Sequence, residues 1–395
     1  MYLYGYHLEC GETRMNLLFI HEISWYKVIF DWQTLPSLLA QRGHNVYIVD
    51  YEKEWKKEYP FDLISPKMEI KTQRIYSPIT LIRPQFIKIP ILSRVSAFIS
   101  HYFAIEKTIK EKKIDAIILY SVPTNGLQTI NLAHKYKIPV IFRSIDVLNQ
   151  LVPKPLSWIT KQMEKYVYRH TDMVLPINLG LLQYVVNMGA KKVETLPLGI
   201  DKQFKPMNTN GLRKEMGWDN YKIVLFVGTL PMFSGLDRVI KDFPRLLKEY
   251  PETKLFIAGD GKQRDKLENI IDELGLRDSI YISGYVKYEK IPEIINVADV
   301  CINPFDICKA TQDIFPTKVI QYMSCGKQVV STPLSGLDDC RAVIFNENIV
   351  DGLITYFKEK PQYDVLSYVK RHDYDVILNQ LEGILNESRI IKSKT

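Results

Sequence analysis

The chain has 395 residues, of which 46% are hydrophobic and 25% charged, a composition that excludes a disordered or low-complexity protein. Its length exceeds what a single hydrophobic core usually serves, so we expect two domains of roughly 200 residues. The net charge of +7 suits an anionic substrate or an anionic membrane surface, and it is too small to indicate a nucleic-acid partner.

The cysteine count and the hydropathy exclude several further classes of protein. The five cysteines are an odd number without paired spacing, which predicts free thiols in a reducing, cytoplasmic compartment. Neither they nor the seven histidines have the spacing of a zinc site, so no metal is expected. The sequence contains no run of 18 uncharged apolar residues, so we expect no membrane-spanning helix. The N-terminus lacks the features of a signal peptide.

Strand and helix signals alternate along both halves of the chain. In the first half, apolar runs predict strands at Asn16–His21, Asn45–Asp50, Ala116–Tyr120, Val140–Arg143, Met173–Pro176 and Val193–Pro197. In the second half they predict strands at Ile223–Val227, Lys254–Ala258, Ile280–Ser283, Val300–Asn303 and Gln328–Ser331. Alternation with helical patterns indicates two parallel sheets, each covered by helices on both faces. Ligands of such sheets bind at the carboxyl ends of the strands.

The segment from Asp313 to Gln321, read D-I-F-P-T-K-V-I-Q, combines a loop acid with the start of a helix. Proline suits the first helical positions, so the helix is expected to begin near Pro316 and to end at Gly326. Free backbone N–H groups at its N-terminus, with Lys318 in the first turn, are suited to a diphosphate. Gln321, one turn further on, is within reach of a sugar hydroxyl.

The segment resembles the acidic-x7-acidic signature of retaining glycosyltransferases of family 4, the group 1 glycosyl transferases, which have the GT-B fold. Five other motifs in the expected order add to the resemblance: Arg42-Gly43-His44, Gly199-Ile200-Asp201 with Phe204 and Pro206, Val227-Gly228, Gly259-Asp260-Gly261, and Ser283-Gly284 followed by Ala298-Asp299. Together they span about 300 residues.

The resemblance implies an α/β architecture of two Rossmann-like domains that face a central cleft. The first domain, residues 1–200, would bind the acceptor, and the second, residues 201–373, the nucleotide-sugar donor. Residues 374–395 would form a helix that crosses back to the first domain. The expected reaction moves a sugar from a nucleotide-sugar donor to a glycan or lipid-linked acceptor, with retention. It would use no cofactor and no metal, and we find no D-x-D motif of the kind that holds a metal in other glycosyltransferases.

The resemblance also assigns roles to donor-site residues. Asp313 would lie beside the transferred sugar, and Gln321 stands where relatives carry a glutamate that binds the donor's ribose. The expected donor-binding set is Gly228, Thr229, Arg238, Gly259, Gly261, Phe315, Pro316, Thr317, Lys318 and Gln321. Ser234 stands where the family carries a lysine after the first strand, and Arg238, one turn into the next helix, is the expected substitute.

On the acceptor side, Asp146 is the candidate base, because it follows a buried strand at the rim of the cleft. The alternative is that Asp146 caps the following helix. Arg143 is expected either to bind an anionic acceptor or to pair with Asp146. His21 and Glu22, which end the first strand where relatives have a glycine-rich loop, are the other expected acceptor contacts, with a structural role for His21 as the alternative.

One further stretch, Phe86 to His101, is apolar, aromatic and interspersed with basic residues. It predicts either an interfacial patch that brings the protein to the inner face of a membrane, or a helix that covers the sheet.

Two other classes of function stay open. The departures at Ser234 and Gln321 fit a non-catalytic GT-B binding subunit with a degenerate donor site, and a nucleotide-sugar epimerase would share the same fold.

Overall fold

The computed structural model describes residues 14–26, 30–51, 63–89, 92–308, 311, 315–337 and 340–394. They form two α/β domains. The first contains a seven-stranded sheet of order β3-β4-β2-β1-β5-β6-β7, and the second a six-stranded sheet of order β10-β9-β8-β11-β12-β13. All paired strands are parallel except β3, which runs antiparallel to β4 at the edge of the first sheet. The predicted fold class, two Rossmann-like domains, is confirmed.

In the first domain the strands are β1 Asn16–Ile20, β2 Asn45–Val49, β3 Met68–Thr72, β4 Ile79–Arg83, β5 Ala116–Leu119, β6 Val140–Ser144 and β7 Met173–Pro176. The helices are α1 Asp31–Gln41, α2 Leu92–Lys112, α3 Gly126–Lys135, α4 Lys154–His170 and α5 Leu179–Asn187.

In the second domain the strands are β8 Lys222–Val227, β9 Thr253–Ala258, β10 Ile280–Ile282, β11 Val300–Asn303, β12 Gln328–Ser331 and β13 Val343–Phe345. The helices are α6 Asn210–Glu215, α7 Leu236–Glu249, α8 Arg264–Glu273, α9 Ile291–Val297, α10 Thr317–Ser324, α11 Ile349–Glu359 and α12 Val365–Val369, and the chain continues into α13 Tyr374–Lys394.

The predicted strand at Val193–Pro197 is not a regular strand, although the segment runs alongside β7. A parallel bridge joins Val193 to Val174, and the Glu194 and Leu196 N–H groups donate to the Val174 and Pro176 carbonyls at 3.1 and 3.0 Å. The carbonyl groups of Leu196 and Pro197 accept hydrogen bonds from the Arg143 guanidinium, so they are not available to a further strand.

Helix α13 lies against the first domain although it follows the second in the chain. Its apolar side chains, including Ile377, Leu381 and Leu385, share one core with β1 and α1. Arg42 and His44 bind Glu382 of this helix through Nη1 at 2.6 Å and Nε2 at 3.1 Å. The first domain is therefore built from two distant parts of the chain.

Two chain segments connect the domains, and they run side by side. The Ile200 N–H donates to the His372 carbonyl at 2.9 Å, and the His372 Nδ1 is 2.7 Å from the Leu198 carbonyl oxygen. This pairing forms the floor of the space between the domains.

Candidate functional site

A cavity of about 740 Å³ lies between the two domains. The first domain contributes the start of α1 and the loop between β3 and β4, and the second contributes α10 and the turn at Tyr288. The lining residues are Phe30, Asp31, Thr34, Arg74, Ile75, Tyr76, Leu198, Gly199, Ile200, Asp201, Gln203, Tyr288, Glu289, Thr317, Gln321 and Tyr374. Its size suits a ligand of nucleotide dimensions.

Helix α10 presents its N-terminal turn to this cavity. Pro316 occupies the position before the helix, and no side chain caps the first turn. Thr317 and Gln321 both line the cavity because residues four apart share one face of a helix. The helix therefore offers uncapped N–H groups and a neutral amide to the same space.

Lys318 points to a different side of α10. Its ammonium nitrogen lies 3.9 Å from the centre of the Phe226 ring and 4.4 Å from that of Phe305. Burial in these apolar surroundings lowers the pKa of Lys318 to about 7. No ion pair with a carboxylate of the described residues offsets this effect, so the amine is poised between its charged and neutral forms near neutral pH.

The predicted glycines bring the ends of two strands into contact. Gly228 has φ +137°, and a Cβ on it would lie 3.1 Å from the Lys318 ammonium nitrogen. A Cβ on Gly259 would lie 1.8 Å from the Gly228 carbonyl oxygen, and one on Gly261 would crowd the backbone of Leu230. Thr229 between them is exposed. Gly259 and Gly261 require glycine because backbone approaches backbone there, and Gly228 requires it because of its positive φ.

Arg238 does not line the interdomain cavity. Its Nη2 lies 2.6 Å from Asp306 Oδ1, and Arg238 lines a separate cavity of about 270 Å³. Arg238 is thus paired with Asp306, and its role as the substitute for a lysine at Ser234 stays a prediction.

Asp146 follows β6 and is half-buried. Burial raises the pKa of its carboxyl to about 6. The short helical turn that follows it begins after Val147 without a side-chain cap, so Asp146 is not a helix cap. None of the described residues hydrogen-bonds or ion-pairs with this carboxyl.

Arg143 is buried and bound entirely within the first domain. Its Nε lies 3.0 Å from Asp31 Oδ2, which also accepts from the Tyr120 hydroxyl at 2.9 Å. The remaining guanidinium nitrogens donate to backbone carbonyls, including that of Leu175. Both expectations for Arg143, an anionic acceptor and Asp146, are corrected, because its partner is Asp31 and its donors are used.

His21 and Glu22 follow β1, and neither lines the interdomain cavity. His21 Nδ1 lies 2.7 Å from the Ile23 carbonyl oxygen, and burial lowers the pKa of the ring. Glu22 binds Arg94 at 2.7 Å and accepts from the Thr124 N–H at 2.5 Å. These contacts hold the loop after β1 in place. They favour a structural role for His21, which is the alternative to acceptor binding.

Two remaining predictions concern the loop before α10. Phe315 is buried and stacks on His372 with ring centres 5.9 Å apart. Asp313 lies outside the described residues.

The cavity also contains residues that sequence reasoning missed. Arg74 and Tyr76 come from the loop between β3 and β4, and Tyr288 from the opposite domain. Burial raises the pKa of the Tyr76 hydroxyl, and the neighbouring carboxylate of Asp201 raises it further. The loop therefore lies against the first residues of the second domain. The apolar run at Ile79–Arg83 was the available signal for β4.

The described residues contain neither a membrane-spanning helix nor a metal-binding cluster. No helix among them is both long enough and apolar enough to cross a bilayer. Within the same ranges, no three His, Cys, Asp or Glu side chains are grouped as a metal ion would require.

Two protein-family models match the chain in adjacent stretches. "Glycosyltransferase Family 4" matches residues 34–204, and "Glycosyl transferases group 1" matches residues 209–359. The boundary between them coincides with the segment that joins the two sheets.

Two curated relatives each match less than half of the chain. Mannosylfructose-phosphate synthase from Agrobacterium fabrum is 30% identical over 191 residues, which are 45% of this chain and 41% of that protein. Alpha-D-kanosaminyltransferase from Streptomyces kanamyceticus is 29% identical over 153 residues, which are 37% of this chain and 40% of that protein. The chain thus matches less than two-thirds of the length of these curated relatives.

Among solved structures, Anabaena HepE in complex with UDP is similar, with a TM-score of 0.71 over 94% of this chain and 100% of that one. At 14% identity this similarity concerns the fold alone. The two matched families and the shared two-domain architecture together show that the chain belongs to the group 1 and family 4 glycosyltransferases with the GT-B fold.

Proposed function

We propose that the protein transfers a sugar from a nucleotide-sugar donor bound between its two domains. The observation that carries this proposal is the position of α10, whose uncapped first turn and Gln321 face the interdomain cavity. A helix N-terminus favours an anionic group, and an amide one turn later suits a hydroxyl of the donor's ribose.

The chemistry required of the site is the stabilisation of a leaving diphosphate. Breaking the sugar–phosphate bond gathers negative charge on the diphosphate, and fixed N–H dipoles lower the energy of that charge most where water is excluded. Lys318 stands beside Gly228 with a pKa of about 7, so an approaching phosphate would favour its charged form.

Retention, the absence of a metal requirement and the role of Asp313 beside the sugar remain parts of this proposal. Asp146 is the proposed acceptor-side carboxylate, because its raised pKa of about 6 suits a group that takes up a proton near neutral pH. One-dimensional proton NMR of the product reports the anomeric configuration directly. An inverted product would rule out retention while leaving the transferase activity intact.

The acceptor we propose is lipid-linked, and it is reached from a membrane surface. Helix α2 buries one face, with Ala97 and Ile105, and exposes apolar side chains on the other. The exposed side chains on α2 are Leu92, Val95, Phe98, Ile99 and Phe103, the last of them 63% exposed. An amphipathic helix that covers only a sheet would carry polar residues there.

A second exposed apolar group lies at the start of α4 and includes Leu156 and Trp158. Helices α2 and α4 each follow a strand that runs parallel to β1, so both begin at the carboxyl edge of the sheet. Helix α3 packs between them. The two groups therefore belong to one rim of the first domain.

The charges near α2 indicate how contact with a bilayer would be driven. Lys110 and Lys112 pair with Glu106 at 3.6 Å and Glu69 at 3.0 Å, and Lys107 pairs with Glu111. Because these lysines have partners, insertion of apolar side chains would dominate over attraction to anionic lipid.

Co-sedimentation with vesicles of phosphatidylcholine and phosphatidylglycerol tests this contact. The double variant Phe98→Gln/Phe103→Gln should bind several-fold less than the wild type, and 0.5 M NaCl should change binding little. The exposed leucines of the second domain, in Leu274→Gln/Leu366→Gln, provide the matched control. Equal binding of both variants would contradict the membrane contact.

A thermal-shift panel of UDP, GDP, ADP and their glucose derivatives tests the donor proposal. A ligand at 100 times its Kd stabilises the folded state by about 2.7 kcal/mol, so one base should raise Tm measurably. UDP and UDP-glucose come first because HepE has been solved with both. Release of UDP, GDP or ADP in the presence of a membrane extract then measures turnover.

A non-catalytic binding subunit is the second candidate. The observation that favours it is that two cations of the second domain already have contacts. Arg238 is paired with Asp306, and Lys318 lies between two aromatic rings. No stabilisation by any nucleotide at millimolar concentration would favour this alternative over catalysis.

A further inference from the structure

The loop between β3 and β4, residues 73–78, brings one arginine into the interdomain cavity. Arg74 and Tyr76 of this loop belong to the first domain, and they share the cavity with Thr317 and Gln321 of the second. A cation from one domain therefore faces the same space as the N-terminal turn of α10.

Arg74 is the only lysine or arginine among the described residues that line this cavity. One of its terminal nitrogens donates to the Trp25 carbonyl, and no carboxylate of the described residues forms an ion pair with it. Burial lowers the pKa of Arg74, and only the weaker influence of Tyr26 opposes this. The guanidinium thus keeps donors that an anion could use.

The described carboxylates that line the cavity do not form an ion pair with Arg74. Asp31 is bound by Arg143 and by the Tyr120 hydroxyl, and Asp201 lies against Tyr76. Glu289 belongs to the opposite domain, and no ion pair joins it to Arg74 within the described ranges.

The second domain shows a matching deficit of charge. Ser234 is buried at the position where the resembling family carries a lysine, and Arg238 is paired with Asp306. Lys318 is the other cation of the expected donor-binding set, and it lies between aromatic rings beside Gly228.

We propose that Arg74 binds the diphosphate of the donor, so that the first domain adds a second cation to Lys318, the amine that the second domain places beside Gly228. This inference rests on the proposed function. Arginine suits the task because its planar group can donate two parallel hydrogen bonds to phosphate oxygens. The diphosphate would then join the two domains, with α10 on one side and Arg74 on the other.

Isothermal titration with UDP, GDP, ADP, their nucleosides and inorganic pyrophosphate tests the inference on the full chain. Arg74→Gln should lower the affinity for the nucleoside diphosphate and for pyrophosphate about 10- to 100-fold. It should leave the affinity for the matching nucleoside unchanged. Arg74→Lys should retain part of the affinity, because it keeps the charge and loses the paired donors. Arg277→Gln, which removes an exposed arginine bound to Asp272, is the matched control.

The outcomes separate this inference from the donor proposal. Wild-type protein that binds none of the diphosphates would overturn the donor proposal. Wild-type binding that Arg74→Gln leaves unchanged would overturn the role of Arg74 alone. An equal loss for diphosphate and nucleoside would place Arg74 against the base or ribose, which also contradicts the proposal, and unchanged nucleoside affinity shows that the variant is folded.

Discussion

A methyl group at Gly199 would place its carbon 2.0 Å from Cε1 of Tyr374, well inside van der Waals contact. These two residues belong to the two segments that connect the domains, and the neighbouring Ile200 N–H donates to the His372 carbonyl at 2.9 Å. The Tyr374 ring therefore packs directly on the backbone of the other connection, which only glycine permits.

The first prediction concerns this contact. Gly199→Ala should lower the unfolding free energy by about 1–3 kcal/mol, because the Tyr374 ring must move away from the added carbon. Gly383→Ala is the control, since a Cβ there meets nothing within 4 Å and α13 should gain about 0.5–1 kcal/mol. Chemical denaturation measures both, and an unchanged midpoint for Gly199→Ala would show that the ring moves freely.

The second prediction concerns Gln321. Gln321→Glu should keep or raise donor affinity, because a carboxylate accepts stronger hydrogen bonds from ribose hydroxyls. Gln321→Leu should lower it by about 1 kcal/mol, since those hydroxyls lose their acceptor. Isothermal titration of the three proteins with the nucleotide that raises Tm most provides the comparison. Three equal affinities would remove Gln321 from the donor site.

The third prediction follows from the pKa of about 7 at Lys318. At pH 8 this amine is mostly neutral, and a diphosphate that stabilises its charged form should cause uptake of up to about one proton. Titration in buffers of different ionisation enthalpy measures that uptake. Lys318→Met should abolish it and weaken diphosphate binding by about 1.5–3 kcal/mol, with the nucleoside unaffected.

The same pKa predicts how stability depends on pH. An unfolded lysine keeps its proton up to about pH 10.4, whereas folded Lys318 loses it near 7, so the unfolded state binds more protons between these values. The contribution of Lys318 to the unfolding free energy should therefore rise with pH across this window. Lys318→Met should remove that slope. Parallel slopes in both proteins would show that the amine is solvated.

The fourth prediction concerns Asp146, whose pKa is raised to about 6. Between about pH 4 and 6 the folded protein binds more protons than the unfolded chain, so this carboxyl lowers the unfolding free energy as pH rises through that range. Asp146→Asn should flatten this decline. Denaturation at pH 4.5 and 7 measures the difference.

Asp146 should also set the pH dependence of turnover. If its carboxylate accepts the acceptor's proton, kcat/KM should rise through about pH 6, and Asp146→Asn should lose activity while its Kd for the donor stays the same. A variant with full activity and the wild-type pH profile would exclude this role.

The strands around the donor and acceptor edges were predictable because buried parallel strands are short, continuous apolar runs. Ile223–Val227 and Gln328–Ser331 are examples, and both appear as expected in β8 and β12. Strand β3 was missed because Met68–Thr72 is mostly exposed and alternates without a clear apolar face. Local pattern carries little information about such an edge strand.

The side chains of the site were predictable only where the chain itself sets their spacing. Thr317 and Gln321 share a helical face by periodicity, and the structure places both in the cavity. The partner of Arg143, in contrast, is Asp31, 112 residues earlier in the sequence. The position of Arg74 opposite α10 likewise depends on how the domains face each other, which no local spacing encodes.

Helix α13 gives the first domain an unusual dependence on distant sequence. Arg42 reaches Glu382 across a separation of 340 residues, and Leu381 and Leu385 complete the same apolar layer as Phe19 and Leu39. A fragment that stops at the end of the first sheet would leave this layer open to water. We therefore expect limited proteolysis to release no stable first domain, and refolding to be slow, because the layer closes only after a very long loop has formed.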